Sequence, residues 1–300
     1  MSYDIKDLFN VRGLVAVITG GSSGLGKTMA LALATNGASR VYILGRHKET
    51  LEDTADLHPG IIIPIVADVG SKASLAAAAD QIHTETGYIN LLVANAGMLY
   101  MDTPEAISVK VGRSLQENAT PDELESFLMD TPVDEFLDTF RVNTTGVFYT
   151  IAAFISLLDK GNKRGNVFQK SQVIAVSSVA AHNRRVVGGC AYGMSKAAVI
   201  MLMKKMMTYL IPHGIRANTI SPGREYFHLQ FRMFPSNLCG SPANEEISIE
   251  GAFDREFIPL QRAGRREEIA GTILYLASKA GGYVNGDLHL IDGGMAGCSS

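Results

Sequence analysis

Thr19-Gly20-Gly21-Ser22-Ser23-Gly24-Leu25-Gly26, the stretch TGGSSGLG at 19–26, lies between an apolar run, LVAVIT at 14–19, and a helical pattern, KTMALALATNG, that stops at Gly37. Placement decides what the glycines mean. At a strand-to-helix turn they let the backbone bend sharply and approach a ligand, while the next helix offers unpaired N–H groups to negative charge. In that context the turn is a place to hold the pyrophosphate of a dinucleotide; elsewhere it would carry little weight.

Outward from the turn, short apolar runs alternate with longer helical patterns. VYILG at 41–45 reads as a second strand, HKETLEDTADL as a helix and IIIPIVADV as a third strand ending near Asp68. SKASLAAAADQIHTETG follows as an alanine-rich helix behind a serine cap, and LLVANAG at 91–97 as a fourth strand. SQVIAVSS at 171–178, GIRANTISPG at 214–223 and DLHLIDGG at 287–294 supply three more. Repeated strand–helix units with strands apolar on both faces predict one doubly wound, parallel α/β domain over 1–300, with ligands beyond the carboxyl ends of the strands.

Two stretches break the rhythm. Residues 98–133 read as an insertion at the mouth of the site, acidic and with helix starts at Thr103-Pro104-Glu105 and Thr120-Pro121-Asp122; residues 223–260 read as a substrate lid.

Composition narrows the partners. The 300 residues are 46% apolar and 19% charged with a formal charge of −3, which offers no broad basic surface to nucleic acid or an anionic membrane. Cys190, Cys239 and Cys298 have neither disulfide-framework nor metal-site spacing, so no metal is expected and a reducing compartment is. The N-terminus lacks a signal pattern and no apolar run approaches bilayer length, so a cytoplasmic protein with a small-molecule partner is expected.

CAYGMSKAA at 190–198 places Tyr192 and Lys196 four residues apart on one helical face. Such a pair is ordinarily a packed Tyr and a snorkelling Lys. Alternatively, an ammonium loosens the proton of a phenol that otherwise titrates near pH 10.

Taken in order, TGGSSGLG, ANAG at 94–97, Ser178 and YGMSK at 192–196 resemble the short-chain dehydrogenase/reductase pattern TGxxxGxG, NAG, Ser, YxxxK across nearly the whole chain. The tail from Pro259 to Gly294 is similar to fungal members described as 3-oxoacyl-carrier-protein reductase-like. The resemblance implies a Rossmann-type, mainly parallel seven-stranded sheet in the order 3-2-1-4-5-6-7. It implies that Tyr192 donates a proton to a carbonyl oxygen as hydride arrives, that Lys196 holds the nicotinamide ribose and lowers the tyrosine pKa, and that Ser178 polarises the oxygen. Ser177 is the fallback if the register shifts by one. Asn143, otherwise a helix-surface amide, matches the asparagine of the family's proton relay.

Cofactor contacts implied by the same resemblance fall on Gly20, Ser22, Ser23, Gly24, Leu25, Gly26, Asp68, Val69, Asn95, Ala96, Gly97, Tyr192, Lys196, Pro222 and Gly223. The second strand ends in Gly45-Arg46, where a carboxylate would select NAD; a guanidinium there, with Ser22, favours NADP(H), unless Arg46 is simply a solvated charge. After Pro222-Gly223 the family's usual threonine is absent from REYFHLQFRMFP.

Phe227, Leu229, Phe231, Met233 and Phe234 suit a lid over a bulky apolar ligand, with Met98, Leu99, His182, Val187 and Cys190 as further wall candidates. The expected activity is NADP(H)-dependent reduction of a hydrophobic ketone, or the reverse oxidation of its alcohol, on a specialised polyketide- or terpenoid-like metabolite. The alternatives are an imine reductase, a non-redox cyclase or dehydratase on the same scaffold, or a protein that senses NADP(H) without catalysis. Apolar helices at 136–159 and 192–211 match the pair through which the family forms dimers and tetramers, so a homo-oligomer is expected.

Overall fold

The computed structural model describes residues 3–99, 120–183, 189–223 and 248–298. Seven strands form one parallel sheet: β1 (Val15–Thr19), β2 (Arg40–Gly45), β3 (Ile62–Val66), β4 (Leu91–Ala94), β5 (Gln172–Val176), β6 (Arg216–Pro222) and β7 (Leu288–Ile291). Their order is β3-β2-β1-β4-β5-β6-β7, and every pairing is parallel, so "mainly" parallel becomes entirely so. The chain reverses direction across the sheet between β1 and β4, which opens a crevice at their carboxyl ends.

Alternation along each strand feeds two cores. Val15, Val17, Tyr42 and Leu44 point into one layer, and Ala16, Ile18, Val41 and Ile43 into the other. The first layer is closed by helices α4 (Lys72–Glu85), α7 (Gly146–Arg164) and α8 (Gly189–Leu210). The second is closed by α2 (Gly24–Thr35), α3 (Lys48–Ala55) and α9 (Arg266–Ala277). A four-residue helix α1 (Ile5–Leu8) precedes β1, while α5 (Pro121–Met129) and α6 (Val133–Phe140) lead into α7.

Local chemistry sets the boundaries. Thr120 caps α5 by a reciprocal box with Glu123, with Pro121 at the first turn as its sequence suggests. Helix α2 begins at Gly24 rather than Lys27, so the last residues of the turn already belong to it, Gly24 entering at φ +53°. The fourth strand ends at Ala94; Asn95-Ala96-Gly97 is a turn. The other helix-start candidate, Thr103-Pro104-Glu105, lies outside the described residues.

Between α6 and α7, Arg141–Thr145 form a π turn, so the helical run continues from Val133 to Arg164. By length and apolar composition this run could cross a bilayer, contrary to the reading that no apolar run is long enough. Half of its most apolar window is buried: Val147, Ile151, Phe154 and Leu158 fill the core, the usual reason a core helix reads as apolar. Phe148, Met194, Met201 and Tyr209 stay exposed along the helices expected to mediate self-association.

One buried charge pins the end of the sheet opposite the crevice. Arg216, 6% exposed at the start of β6, donates through Nη1 to the carbonyls of Gly281 and Val284, both at 3.0 Å. Its Nε and Nη2 reach the Lys170 carbonyl, and Nη2 also reaches that of Leu276, all at 3.3 Å. Burial lowers the guanidinium pKa to about 10.

Candidate active site

The glycine turn is packed too closely for side chains at Gly21 and Gly26. Gly20, at φ +65°, donates its N–H to the Leu44 carbonyl at 2.7 Å, which ties the turn to β2. A Cβ at Gly26 would stand 2.2 Å from the Gly20 carbonyl oxygen and 2.6 Å from Asn95 Nδ2, so only glycine lets α2 start this close to the turn. Asn95 Nδ2 donates to the carbonyls of Thr19 (3.0 Å) and Gly20 (3.2 Å). The Thr19 hydroxyl accepts from the N–H groups of Asn95 and Ala96, both at 3.0 Å. Thr19 and Asn95 thus staple the turn after β1 to the turn after β4 at the crevice. Ser23 and Leu25 open α2 beside it, though Ser23 makes no side-chain cap bond.

At the end of β2, Arg46 is exposed and makes no ion pair among the described residues, while a Cβ at Gly45 would lie 3.6 Å from Ser22 Oγ. Ser22 and Arg46 therefore flank the same strand end. Beyond β3, Asp68 is engaged locally: its Oδ1 accepts from Gly70 N–H at 2.9 Å, and Val69 packs under Gly146.

Ser178, Tyr192 and Lys196 meet where β5 gives way to α8. Ser178 caps the one-turn helix Val179–Ala181 by accepting from Ala180 N–H at 3.2 Å. Of the two serines it is Ser178 that hydrogen-bonds Tyr192, whereas Ser177 is buried and donates to the Lys196 carbonyl at 2.8 Å. Lys196 is 4% exposed, and its Nζ donates to the Val176 carbonyl at 2.9 Å. Desolvation lowers its pKa to about 8. An ammonium with one protein acceptor has two N–H groups left for hydroxyls.

In the protein alone the Tyr192 pKa is raised. Burial pushes the phenol above 10, and the hydrogen bond with Ser178 pulls against it. Lys196 Nζ lies 5.8 Å from the ring centroid and is held by the Val176 carbonyl.

Asn143 sits in the π turn, fully buried. Its Oδ1 accepts from Met98 N–H at 2.7 Å, and its Nδ2 donates to the Met98 carbonyl at 2.9 Å and to Ser195 Oγ at 3.0 Å. A Cβ on Gly97 would be 3.2 Å from Lys196 Nζ and 3.3 Å from Asn143 Oδ1, which places Gly97, Lys196 and Asn143 around one point. Ser195, which sequence reasoning passed over, donates to the Tyr192 carbonyl at 2.7 Å and so couples Asn143 to the Tyr192 turn. Its only signal is a hydroxyl between Tyr192 and Lys196 in the first turns of the helix.

At the end of β6, Gly223 donates to the Ile291 carbonyl at 2.8 Å and lies against Asp292, beside Pro222. Cys190 is exposed in the first turn of α8. Val187, the lid residues from Phe227 to Phe234 and Cys239 lie outside the described residues. Among the described residues no group of His, Cys, Asp or Glu is placed to hold a metal.

The arrangement fits a dinucleotide: a tight turn with open space at Gly24, a helix N-terminus beside it, and a buried ammonium with spare donors farther along the crevice. Gly20 to Gly26 would hold its pyrophosphate and Lys196 its nicotinamide ribose.

Comparison with known proteins points the same way. The model of the short chain dehydrogenase family matches residues 14–226. The short-chain dehydrogenase/reductase PhomF of Diaporthe leptostromiformis is 41% identical over 292 residues, covering 96% of this chain and 93% of its own. The short-chain dehydrogenase/reductase SAT3 of Stachybotrys chartarum is 39% identical over 281 residues, covering 89% and 97%. Among solved structures, the Pseudomonas aeruginosa RhlG/NADP active-site complex superposes with a TM-score of 0.74 at 28% identity, over 96% of this chain and 98% of that one.

Proposed function

We propose, since the chain belongs to the short-chain dehydrogenase/reductase family, that it is an NADP(H)-dependent reductase of hydrophobic ketones, able to run in reverse on their secondary alcohols. The observation that carries this reading is the meeting of Ser178, Tyr192 and Lys196 in the crevice that the glycine turn opens.

The nicotinamide would supply or accept hydride. The chain's own part is to orient and to move a proton. Ser178 donates a hydrogen bond to the substrate oxygen. Tyr192 Oη gives its proton to that oxygen in reduction and takes it back in oxidation. Its raised pKa keeps the phenol protonated at neutral pH, the state reduction requires. Lys196 grips the ribose, and Asn143 fixes Met98 and, through Ser195, the Tyr192 turn.

The preference for the 2′-phosphate rests on Arg46 and Ser22 at the end of β2, where no carboxylate follows Gly45. The apolar and aromatic sequence at 227–234 supports a hydrophobic substrate. Titration with NADPH and NADH, followed by ketones with the absorbance of the reduced ring monitored, tests both claims. NADPH is expected to bind at least about tenfold tighter, and Arg46→Asp to reverse that order through loss of a charge-assisted bond and gain of a repulsion. Equal affinities in the wild type would remove the cofactor assignment.

Lys196 also sets a pH dependence. Its pKa in the free protein is depressed to about 8, so the ammonium is present below pH 8 and lost above it. Cofactor affinity is therefore greatest below pH 8. The dissociation constant of NADPH should rise severalfold between pH 7 and pH 9, and Lys196→Met should bind more weakly with a flat profile over that range. A wild-type profile as flat as the variant's would contradict the assigned role.

A further inference from the structure

His182 is a titratable group beside the chemistry for which the mechanism has no use. It ends the single helical turn that begins at Ser178, four residues on, and its half-buried ring reaches across to β6. There His182 Nε2 lies 3.4 Å from the hydroxyl of Ser221, which is wholly buried.

That contact determines where the imidazole carries its proton. Among the described residues, His182 is the only hydrogen-bond partner of the Ser221 hydroxyl. If Nε2 donated to Oγ, the serine proton would be left in the interior with no acceptor among the described residues, which costs about 1–3 kcal/mol. The favoured arrangement has Ser221 donating to Nε2, so the ring proton sits on Nδ1. Burial lowers the imidazole pKa, and the negative charge of Asp292, whose carboxylate accepts from the N–H groups of Gly294 and Ala296, only partly offsets it. The ring is thus a neutral donor of fixed tautomer whose Nδ1–H has no protein acceptor among the described residues. It stands between the Ser178 turn and the Pro222-Gly223 end of β6.

We propose that His182 donates this Nδ1–H to a second oxygen of the substrate, close to the carbonyl being reduced, and so selects oxygenated ketones over plain ones. The inference rests on the ketone-reductase reading above. It adds a specificity contact rather than a step in the proton transfer.

Two probes with the same nine-atom chain isolate the contact: ethyl 3-oxohexanoate, which carries a second carbonyl oxygen, and 4-nonanone, which does not. The quantity measured is the ratio of kcat/KM for the keto ester to that for the plain ketone. One hydrogen bond of ordinary strength predicts that His182→Leu lowers this ratio about tenfold. His182→Asn, which keeps a side-chain N–H and can still accept from Ser221, should restore most of it. A general disturbance of the fold would depress both substrates together and leave the ratio alone.

A second readout is independent of turnover. In 15N NMR of the imidazoles, the signal absent from His182→Leu should show the proton on Nδ1, and should shift on adding the keto ester but not 4-nonanone. A ratio within twofold of wild type in His182→Leu, or a proton found on Nε2, would overturn the proposal while the reductase reading stands. Wild-type protein that binds NADPH but oxidises it with neither probe would overturn the reductase reading and this proposal with it.

Discussion

Tyr192→Phe should lower kcat for ketone reduction about a thousandfold while leaving the NADPH dissociation constant within about threefold of wild type. A positioned proton donor contributes 10²- to 10⁴-fold, and this substitution removes one oxygen atom while leaving the ring that packs against the turn. The lost oxygen has Ser178 as its described side-chain partner, so the fold has little to lose. Lys196, bound to the Val176 carbonyl rather than to the phenol, keeps its place and its donors for the ribose. Single-turnover absorbance decay with cofactor saturating separates the two quantities. Activity within tenfold of wild type would mean that the substrate oxygen takes its proton from elsewhere.

The second large effect concerns stability. Arg216→Met should destabilise the domain by about 1–3 kcal/mol, the range for taking a hydrogen-bond donor away from buried acceptors. The carbonyls of Lys170, Leu276, Gly281 and Val284 would all lose a donor, though Gln172 Nε2, the Val284 N–H and Asn218 Nδ2 still serve Leu276, Gly281 and Val284 respectively. Arg216→Lys should recover little, since a single ammonium cannot span the positions that the planar fork reaches. Unfolding followed by circular dichroism in urea gives the number; a loss under 1 kcal/mol would show that the remaining donors satisfy those carbonyls.

The two substitutions also mark what could be read in the sequence. Tyr192 and Lys196 were legible because helical periodicity places them on one face, and TGGSSGLG because its position between a strand and a helix gives the glycines a purpose. Arg216 was not, since its partners lie 46 to 68 residues away and its sequence context is an ordinary buried strand. Thr19 escaped for the same reason: its hydroxyl serves a turn 76 and 77 residues farther on. The rise of the Tyr192 pKa in the protein alone was not legible, because neighbouring charge is visible in a sequence, whereas desolvation depends on everything packed around the ring. Strand order followed from the family resemblance, since alternating strands and helices establish a parallel sheet but not which strands are neighbours.

The π turn at Arg141–Thr145 bears on how such a domain can be remodelled. In a regular helix each added residue rotates the downstream chain by about 100°, so a change of length or angle in the elements ahead of Asn143 would swing its amide out of the site. A π turn takes up one residue of slack. Here that slack falls at the junction between the α5–α6 region and the core-bound α7, and Asn143 is held within it by Met98 on one side and Ser195 on the other. The acidic segment ahead of it is thereby a module that can be lengthened, trimmed or exchanged between relatives while the amide stays anchored. Chimeras joined just upstream of Arg141 are the natural way to transplant the mouth of one such protein onto the catalytic body of another.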